Sequence, residues 1–343
     1  MQAFQHASPK TVAAAVKLLD SEWGKTAVVA GGTDLISLMK DLSDRTDLAN
    51  RVATPTRLVS LKQIAELKGI EFSASKGLRI GSMATVQELM DHPEVKRNYP
   101  ALVTAAEGIR SQQLRAMGTV GGDLLQRPRC WYFRAGYGLL ATDNGKALVP
   151  DGDNRYHAIL GNSGPAYFVS PSSFAPVLIA LGAKVKLVGP EGPRELAADK
   201  LFVTPAKEEE HEHALKPNEI LSEITVPHHG MVKMAVYEVR QKEALDWPLA
   251  AAAVALHLNG TTVESAGVVL GHVAPVPWPS PEAEEALKGK ALSEEVAEEA
   301  GKAAVSKATP LSMNKYKVQL AKVAVKRAVL SAAGMNSAAA RHA

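Results

Sequence analysis

Two glycine-rich stretches, Ala30-Gly31-Gly32-Thr33-Asp34 and Gly118-Thr119-Val120-Gly121-Gly122-Asp123, hold the residues of this sequence best suited to chemistry. Glycine offers its backbone N–H with no side chain in the way and tolerates positive φ. One such stretch reads equally well as an ordinary turn. Two in one domain, each with a threonine and an aspartate beside the glycines, suggest paired nests closing on a diphosphate. A dinucleotide is the usual carrier of a diphosphate held in that way. Other polar clusters carry less. His211 and His213 lie among the glutamates of the 208–213 run, but nothing there supplies a rigid scaffold for a metal, so the run reads as a solvated interdomain loop. His228-His229, just after Pro227, reads as a strand-end turn. No acid–base pair and no nucleophile triad stands out, which fits a cofactor that carries the redox chemistry itself. No Rossmann fingerprint is present, so a nicotinamide nucleotide is not expected in the usual crevice.

The elements that must position these loops follow from apolar spacing and turn chemistry. Ser8-Pro9 reads as an N-cap with proline at the first helical position, and Val12, Val16 and Leu19 extend a helix to about Asp20. Thr26–Ala30 reads as a buried strand, Gly31-Gly32-Thr33 as a turn, and Asp34–Lys40 as a helix. That order puts the first loop at a helix N-terminus, where an anion is favoured. Leu58–Leu61, Ile70–Ala74 and Leu78–Gly81 read as further strands, and Thr85-Val86-Gln87-Glu88 is a capping box opening another helix. Strands and helices alternate to about residue 190, as in an α/β domain. Composition shifts after Pro205, and a domain boundary is placed between about 205 and 230. Beyond it, Met234–Arg240, Ala251–Leu258 and Val263–Leu270 read as strands, with a hairpin turn at Asn259-Gly260. An acidic helical segment (Glu282–Glu299) and a basic one (Lys315–Arg327) follow.

Composition bounds the rest. A chain of 343 residues with 46% hydrophobic residues is long enough for two or three domains with sizeable cores. A net charge of +3 and 5% aromatic residues argue against a dedicated nucleic-acid binder. The single cysteine, Cys130, excludes a disulfide within the chain and fits a reducing compartment. Met1–His6 lacks a basic region followed by an apolar run, so no signal peptide is expected. The most apolar stretches, Pro248–Leu258 and Ala175–Leu181, are too short to span a bilayer.

The order of these motifs over nearly the whole chain resembles the flavin subunit of the xanthine dehydrogenase family of molybdenum hydroxylases. Val29-Ala30-Gly31-Gly32-Thr33-Asp34-Leu35 is similar to that family's first flavin loop. Ile109-Arg110-Ser111 through Met117-Gly118-Thr119-Val120-Gly121-Gly122-Asp123-Leu124 is similar to its second. Asp246-Trp247-Pro248-Leu249-Ala250 resembles the start of a strand in its C-terminal domain, and Ser312-Met313-Asn314-Lys315-Tyr316-Lys317 the lead-in to its last helix. The resemblance implies an α+β fold. A two-part FAD-binding domain of the p-cresol methylhydroxylase type (1–225, parts about 1–57 and 58–225) would precede a small C-terminal domain (226–335) with a three-stranded antiparallel sheet and helices, then a tail (336–343). It implies an FAD-dependent oxidoreductase subunit with no covalent flavin attachment. FAD would contact Val29, Ala30, Gly31, Gly32, Thr33, Asp34, Leu35, Thr85, Gly118, Thr119, Gly121, Gly122, Asp123 and Ser173. The implied partners are a large subunit with the molybdenum cofactor and a small subunit with two-iron clusters, and the implied setting is cytoplasmic, or periplasmic by export with a partner that carries the signal.

A narrower match, Gln126-Arg127-Pro128-Arg129-Cys130-Trp131-Tyr132-Phe133-Arg134 with Asn154-Arg155-Tyr156-His157-Ala158, resembles the aldehyde oxidoreductase branch. Some of its members carry four cysteines and a four-iron cluster between these motifs. Here the segment 135–153 has no cysteine, so the loop is expected without a cluster, packed instead as an apolar satellite core with Trp131, Tyr132, Tyr137, Leu139 and Leu140. Ser172-Ser173-Phe174 departs from the family, which commonly has an aspartate second. Arg127–Arg134 is a candidate border for a partner-docking patch, or equally a buried structural loop. Rival readings are a free-standing flavin oxidase or reductase and a flavin-free assembly subunit that kept the fold.

Overall fold

In this computed structural model the described residues are 1–43, 52, 54–228, 230, 232–242 and 246–335. His229 and the tail 336–343 lie outside them. The chain opens with β1 (Gln5–Ala7), α1 (Val12–Val16), β2 (Thr26–Val29), α2 (Leu35–Ser43) and β3 (Arg57–Ser60). The three strands form a parallel sheet in the order β1-β3-β2, with Val29 opposite Ser60. Thr11 caps α1 by accepting from the Ala14 N–H at 3.2 Å, so the helix begins after Ser8-Pro9. It ends before Asp20 because Leu18 and Leu19 tighten to i−3 carbonyls, on Ala15 and Val16.

The middle of the chain runs β4 (Ile70–Ser73), β5 (Gly77–Gly81), α3 (Val86–Asp91), α4 (Pro93–Asn98), α5 (Pro100–Gly108), α6 (Gln112–Met117), α7 (Val120–Leu124) and α8 (Trp131–Arg134). A two-residue hairpin, β6 (Thr142–Asp143) and β7 (Lys146–Ala147), precedes α9 (Ala175–Ala180), β8 (Lys184–Gly189), β9 (Gly192–Ala197) and β10 (Ile220–Val226). The five long strands form one antiparallel sheet in the order β4-β5-β10-β8-β9. The alternation of strands and helices therefore does not wind a parallel α/β sheet. Tight turns join β4 to β5 and β8 to β9, at Gly77 (φ +80°) and beyond Gly189, and a tight turn can join only antiparallel neighbours. Leu89, Leu102, Phe174 and Leu178 pack with Ile80 and Ile224 in the core beneath this sheet.

The last part is β11 (Lys233–Val239), β12 (Ala250–Asn259), β13 (Thr262–Gly271), β14 (Trp278–Pro279), α10 (Pro281–Leu287), α11 (Glu294–Ala304) and α12 (Tyr316–Ala332). The three expected strands gain a two-residue edge strand, giving the antiparallel order β11-β12-β13-β14. The acidic stretch expected as one helix is two, because Gly289 adopts φ +73° and Ser293 starts α11 by accepting from the Val296 N–H. β12 is buried on both faces. Ala250, Ala252, Val254 and Leu256 belong to the C-terminal core, whereas Ala253 and Ala255 face the core of the preceding domain. Glycine makes that seat possible: a Cβ on Gly267 would lie 2.6 Å from the Ala180 carbonyl oxygen of α9.

Candidate functional site

The first glycine loop joins β2 to α2. Gly32, at φ +78°, turns the chain, and its carbonyl accepts the Ile36 N–H at 3.3 Å as α2 begins. Among the described residues, no hydrogen bond takes the N–H groups of Gly31, Gly32, Thr33 and Asp34. These are the orphan donors of a helix start, and they sit on a cleft of about 370 Å³. Ala30, Gly31, Gly32, Thr33, Asp34 and Leu35 all line that cleft, and so do Thr119, Gly121 and Gly122 of the second loop.

The second loop contributes shape rather than donors. Four of its amides are already used: Gly118 donates to Leu114 O, Val120 to Ala84 O, Gly121 to Ser82 O, and Gly122 to Thr119 Oγ1 at 3.0 Å. The two loops touch. A Cβ on Gly31 would lie 1.9 Å from the Met117 carbonyl oxygen, and one on Gly121 would lie 2.7 Å from Ser82 Cβ. Ser82 Oγ lines the cleft, buried and without a hydrogen-bond partner. A buried hydroxyl of that kind calls for a polar ligand atom or a water. The donors of loop one and the Ser82 hydroxyl on one wall thus fit the diphosphate of a dinucleotide such as FAD. Gly32 acts differently from Gly31, because its Cβ direction meets only Ile36 and Val29 side chains, at 3.4 and 3.7 Å.

Five residues named from sequence lie off the cleft lining. Val29 ends β2, and Gly118 backs the Thr33 hydroxyl at 3.6 Å from its Cβ direction. Thr85 forms the capping box with Glu88, its N–H donating to Glu88 Oε2 at 2.7 Å, and it meets Thr119 through a single β-bridge. Asp123 is buried and holds the start of α9: its carboxylate accepts from the Ser172 hydroxyl at 2.5 Å and the Phe174 N–H at 3.1 Å. Burial pushes its pKa up to about 6 against the pull of those bonds. The fifth, Ser173, is buried with its N–H on the same carboxylate at 3.4 Å. Asp123 therefore supplies a carboxylate beside the 172–174 segment, where Ser173 departs from the family pattern.

Asp34 anchors loop one from behind. It accepts the Arg127 N–H at 2.8 Å and the Arg134 guanidinium at 2.7 Å, and it pairs with Arg129 at 3.1 Å. Phe133 is buried and the rest of 127–134 is buried or half-buried, so this segment acts as a bolt across loop one. Its apolar core draws on Phe133, Leu139 and Leu140 with Leu38, Leu42 and Phe168. Trp131 and Tyr132 instead pack around His157, with centroids 5.6 and 5.8 Å from its ring, and Tyr137 is not part of that core.

Of the run 208–213, expected as a solvated loop, Glu208, Glu209 and Glu210 are exposed, whereas the second half turns inward beside the cleft. Glu212 is buried and ion-paired with Arg127. Burial pushes its carboxyl up, but Arg127 and His213 outweigh that and hold it below the usual range. His211 stacks on Trp23 at 3.9 Å, and both rings line the cleft. Burial, with help from Arg127, drops the His211 pKa to about 4, so the ring is neutral near pH 7. Ser82, Trp23 and the pairings of His211 with Trp23 and of Arg127 with Glu212 went unread in the sequence; the alternation of His211, Glu212 and His213 was the one signal of a segment with an inner face. Among the described residues no three His, Cys, Asp or Glu side chains form a metal-binding group. No described helix is long and apolar enough to cross a membrane.

Comparison with known proteins adds to this geometry. The FAD binding domain in molybdopterin dehydrogenase matches residues 2–229, and the CO dehydrogenase flavoprotein C-terminal domain matches residues 235–332. The chain is 29% identical over 333 residues to the carbon monoxide dehydrogenase medium chain of Hydrogenophaga pseudoflava, covering 96% of each. It is 32% identical over 254 residues to the aldehyde oxidoreductase FAD-binding subunit PaoB of Escherichia coli, covering 73% of this chain and 75% of that one. The solved structure of the Hydrogenophaga pseudoflava carbon monoxide dehydrogenase that lacks the Mo-pyranopterin moiety superposes with a TM-score of 0.74 at 28% identity, over 98% of this chain and 99% of that one.

Proposed function

This chain belongs to the FAD-binding medium subunits of the xanthine dehydrogenase and CO dehydrogenase family of molybdenum hydroxylases, and on that premise we propose that it takes electrons from a two-iron iron–sulfur subunit and passes them to a terminal acceptor. A separate large subunit with the molybdenum cofactor oxidises the substrate. FAD, when bound, supplies the one- and two-electron chemistry. The chain's own residues bind, orient and shield it.

The observation that carries this reading is the set of free amides at Gly31, Gly32, Thr33 and Asp34 on the cleft that the second loop also lines. Four N–H groups at the start of α2 favour a phosphate, and the helix dipole adds to them. The Ser82 hydroxyl, on the same cleft, offers a further bond. Thr119, Gly121 and Gly122 shape the cleft, and Val29, Gly118, Thr85, Asp123 and Ser173 brace that shape from behind. Asp34, tied to Arg127, Arg129 and Arg134, keeps loop one from drifting. The Trp23–His211 stack forms part of the cleft wall.

The test is purification from a native source. The chain is expected to co-purify with a molybdenum-containing subunit and an iron–sulfur subunit, and to show a flavin band that bleaches on reduction. A colourless chain with intact fold would favour the flavin-free assembly reading. A lone chain that oxidises an organic substrate at a useful rate would favour the free-standing enzyme.

A further inference from the structure

A dinucleotide whose diphosphate sits on loop one has a ring system to house on either side of it. Two stacked rings stand on the same cleft. Trp23 and His211 lie with centroids 3.9 Å apart and planes 23° from parallel. His211 covers one face of the indole, yet Trp23 remains 42% exposed, so the rest of its ring is open to the cleft and to solvent. Phe133, also on the lining, offers no such face. It is buried, with the Arg127 and Arg134 guanidinium groups over its ring at 5.0 and 5.9 Å.

The stack is set before any ligand arrives. Trp23 sits in the turn between α1 and β2. There Gly24 takes φ +86°, the Asp20 N–H donates to Thr26 Oγ1 at 2.9 Å, and Lys25 pairs with Glu22 at 2.8 Å. His211 is held through its neighbours. Glu212 pairs with Arg127, and its carbonyl accepts the Val203 N–H at 3.0 Å, while His213 meets Phe202 in a β-bridge. A platform fixed in advance spares the ligand the cost of ordering it.

Charge decides which ring suits the platform. Glu208 and Glu210, beside His211 in the chain, line the same cleft. The other charged groups of the lining are matched within the protein: Asp34 by Arg129 and Arg134, Glu219 by Arg194, and Arg127 by Glu212. Glu210 accepts the Ala206 N–H at 2.7 Å through Oε2, and a carboxylate has room for several more bonds. Adenosine presents donors to such groups, an exocyclic amine and the ribose hydroxyls. Isoalloxazine presents a single ring N–H and takes up electrons, which nearby carboxylates disfavour.

We propose that Trp23, backed by His211, is the platform on which the adenine ring of FAD stacks, with the ribose turned towards Glu208 and Glu210. This rests on the FAD reading above and adds which end of the cleft takes the adenosine half. Trp23 is then a specificity residue that favours FAD over FMN, which has no adenylate.

The test titrates FAD, ADP and FMN into the full apo chain by calorimetry, for the wild type and for Trp23→Leu. ADP is expected to bind the wild type saturably and to compete with FAD. Trp23→Leu should raise the Kd for FAD and for ADP by the same factor, about 5- to 150-fold, the worth of one base–aromatic stack. The Kd for FMN should stay at the wild-type value. Trp23→Phe keeps a ring and should recover most of the loss, and thermal unfolding without ligand checks the fold of both variants. No binding of ADP to the wild type, unchanged affinity for FAD or ADP in Trp23→Leu, an equal loss for FMN, or no recovery in Trp23→Phe would each overturn the proposal. A wild-type chain that binds no FAD would overturn the flavin reading itself, so the two failures are told apart.

Discussion

Gly31→Ala should damage the site more than any other single methyl group added to the first loop. A Cβ there would sit 1.9 Å from the Met117 carbonyl oxygen, where ordinary contact is 3.4 Å or more, and 3.2 Å from Gly118 Cα. The atoms met are backbone, so neither can swing aside. The two loops must part by about 1.5 Å to restore contact. Such overpacking typically costs about 1–3 kcal/mol of stability. A shift of that size also exceeds the working range of a hydrogen bond, so at least one amide–phosphate bond is lost. A bond to a charged group is worth roughly 1.5–3 kcal/mol, which translates into about a 10- to 150-fold rise in the Kd for FAD. The assay is flavin fluorescence during titration of the apo chain, paired with thermal unfolding in the absence of FAD. Gly31→Ala with the wild-type Kd and the wild-type melting temperature would refute the argument that contact between the loops shapes the site.

Three further outcomes follow from the same structure. Gly32→Ala should cost about 1 kcal/mol through its positive φ alone, with a smaller loss of FAD affinity than Gly31→Ala, since its Cβ meets only side chains; comparing the two Kd values checks the order. Arg127→Ala leaves the buried Glu212 carboxylate without its counter-ion and should destabilise the chain by about 3–5 kcal/mol, whereas adding Glu212→Gln should recover part of that in thermal unfolding. Lys317→Met removes donors from three carbonyls and should cost roughly 2–4 kcal/mol. Burial lowers the Lys317 pKa from 10.5 to about 7, so between those pH values the folded chain binds fewer protons than the unfolded one, and this group's contribution grows as pH rises. The gap in stability between wild type and Lys317→Met should therefore widen from pH 7 towards pH 10.

Much of the scaffold was legible because its signals are local. The hairpin turn read at Asn259-Gly260 falls one residue on, at Gly260-Thr261 between β12 and β13, and Gly260 supplies its positive φ of +62°. The capping box at Thr85 and Glu88 needed only a threonine and a glutamate three residues apart, and both of its bonds form. The strand–glycine–helix order around Gly31 and Gly32 likewise needed no distant partner, and α2 begins at Leu35. Local signals failed where a long-range partner decided the outcome. The charged 208–213 run reads as solvated because four glutamates and two histidines dominate it, yet Arg127, 85 residues away, draws Glu212 inside. The segment 127–134 reads equally as a docking border or as a buried structural loop, and only the fold shows that Asp34 collects three of its contacts and ties it to loop one.

Sequence alone therefore determined which backbone stretches could approach a phosphate, since that depends on glycine and on position at a helix start. It also determined, through one cysteine, that this chain cannot supply four thiolates to an iron–sulfur cluster. Only the tertiary structure divided the labour between the loops. Hydrogen bonds to Leu114, Ala84 and Ser82 consume the Gly118, Val120 and Gly121 amides of the second loop, whereas among the described residues those of residues 31–34 have no partner. Only the fold, too, took Asp123 off the cleft, because a carboxylate buried beside Ser172 and Phe174 is held better by their donors than by open solvent. The reason is the same in each case: a glycine's freedom is a property of one residue, whereas the fate of a donor or a charge depends on what the rest of the chain brings within 3 Å of it.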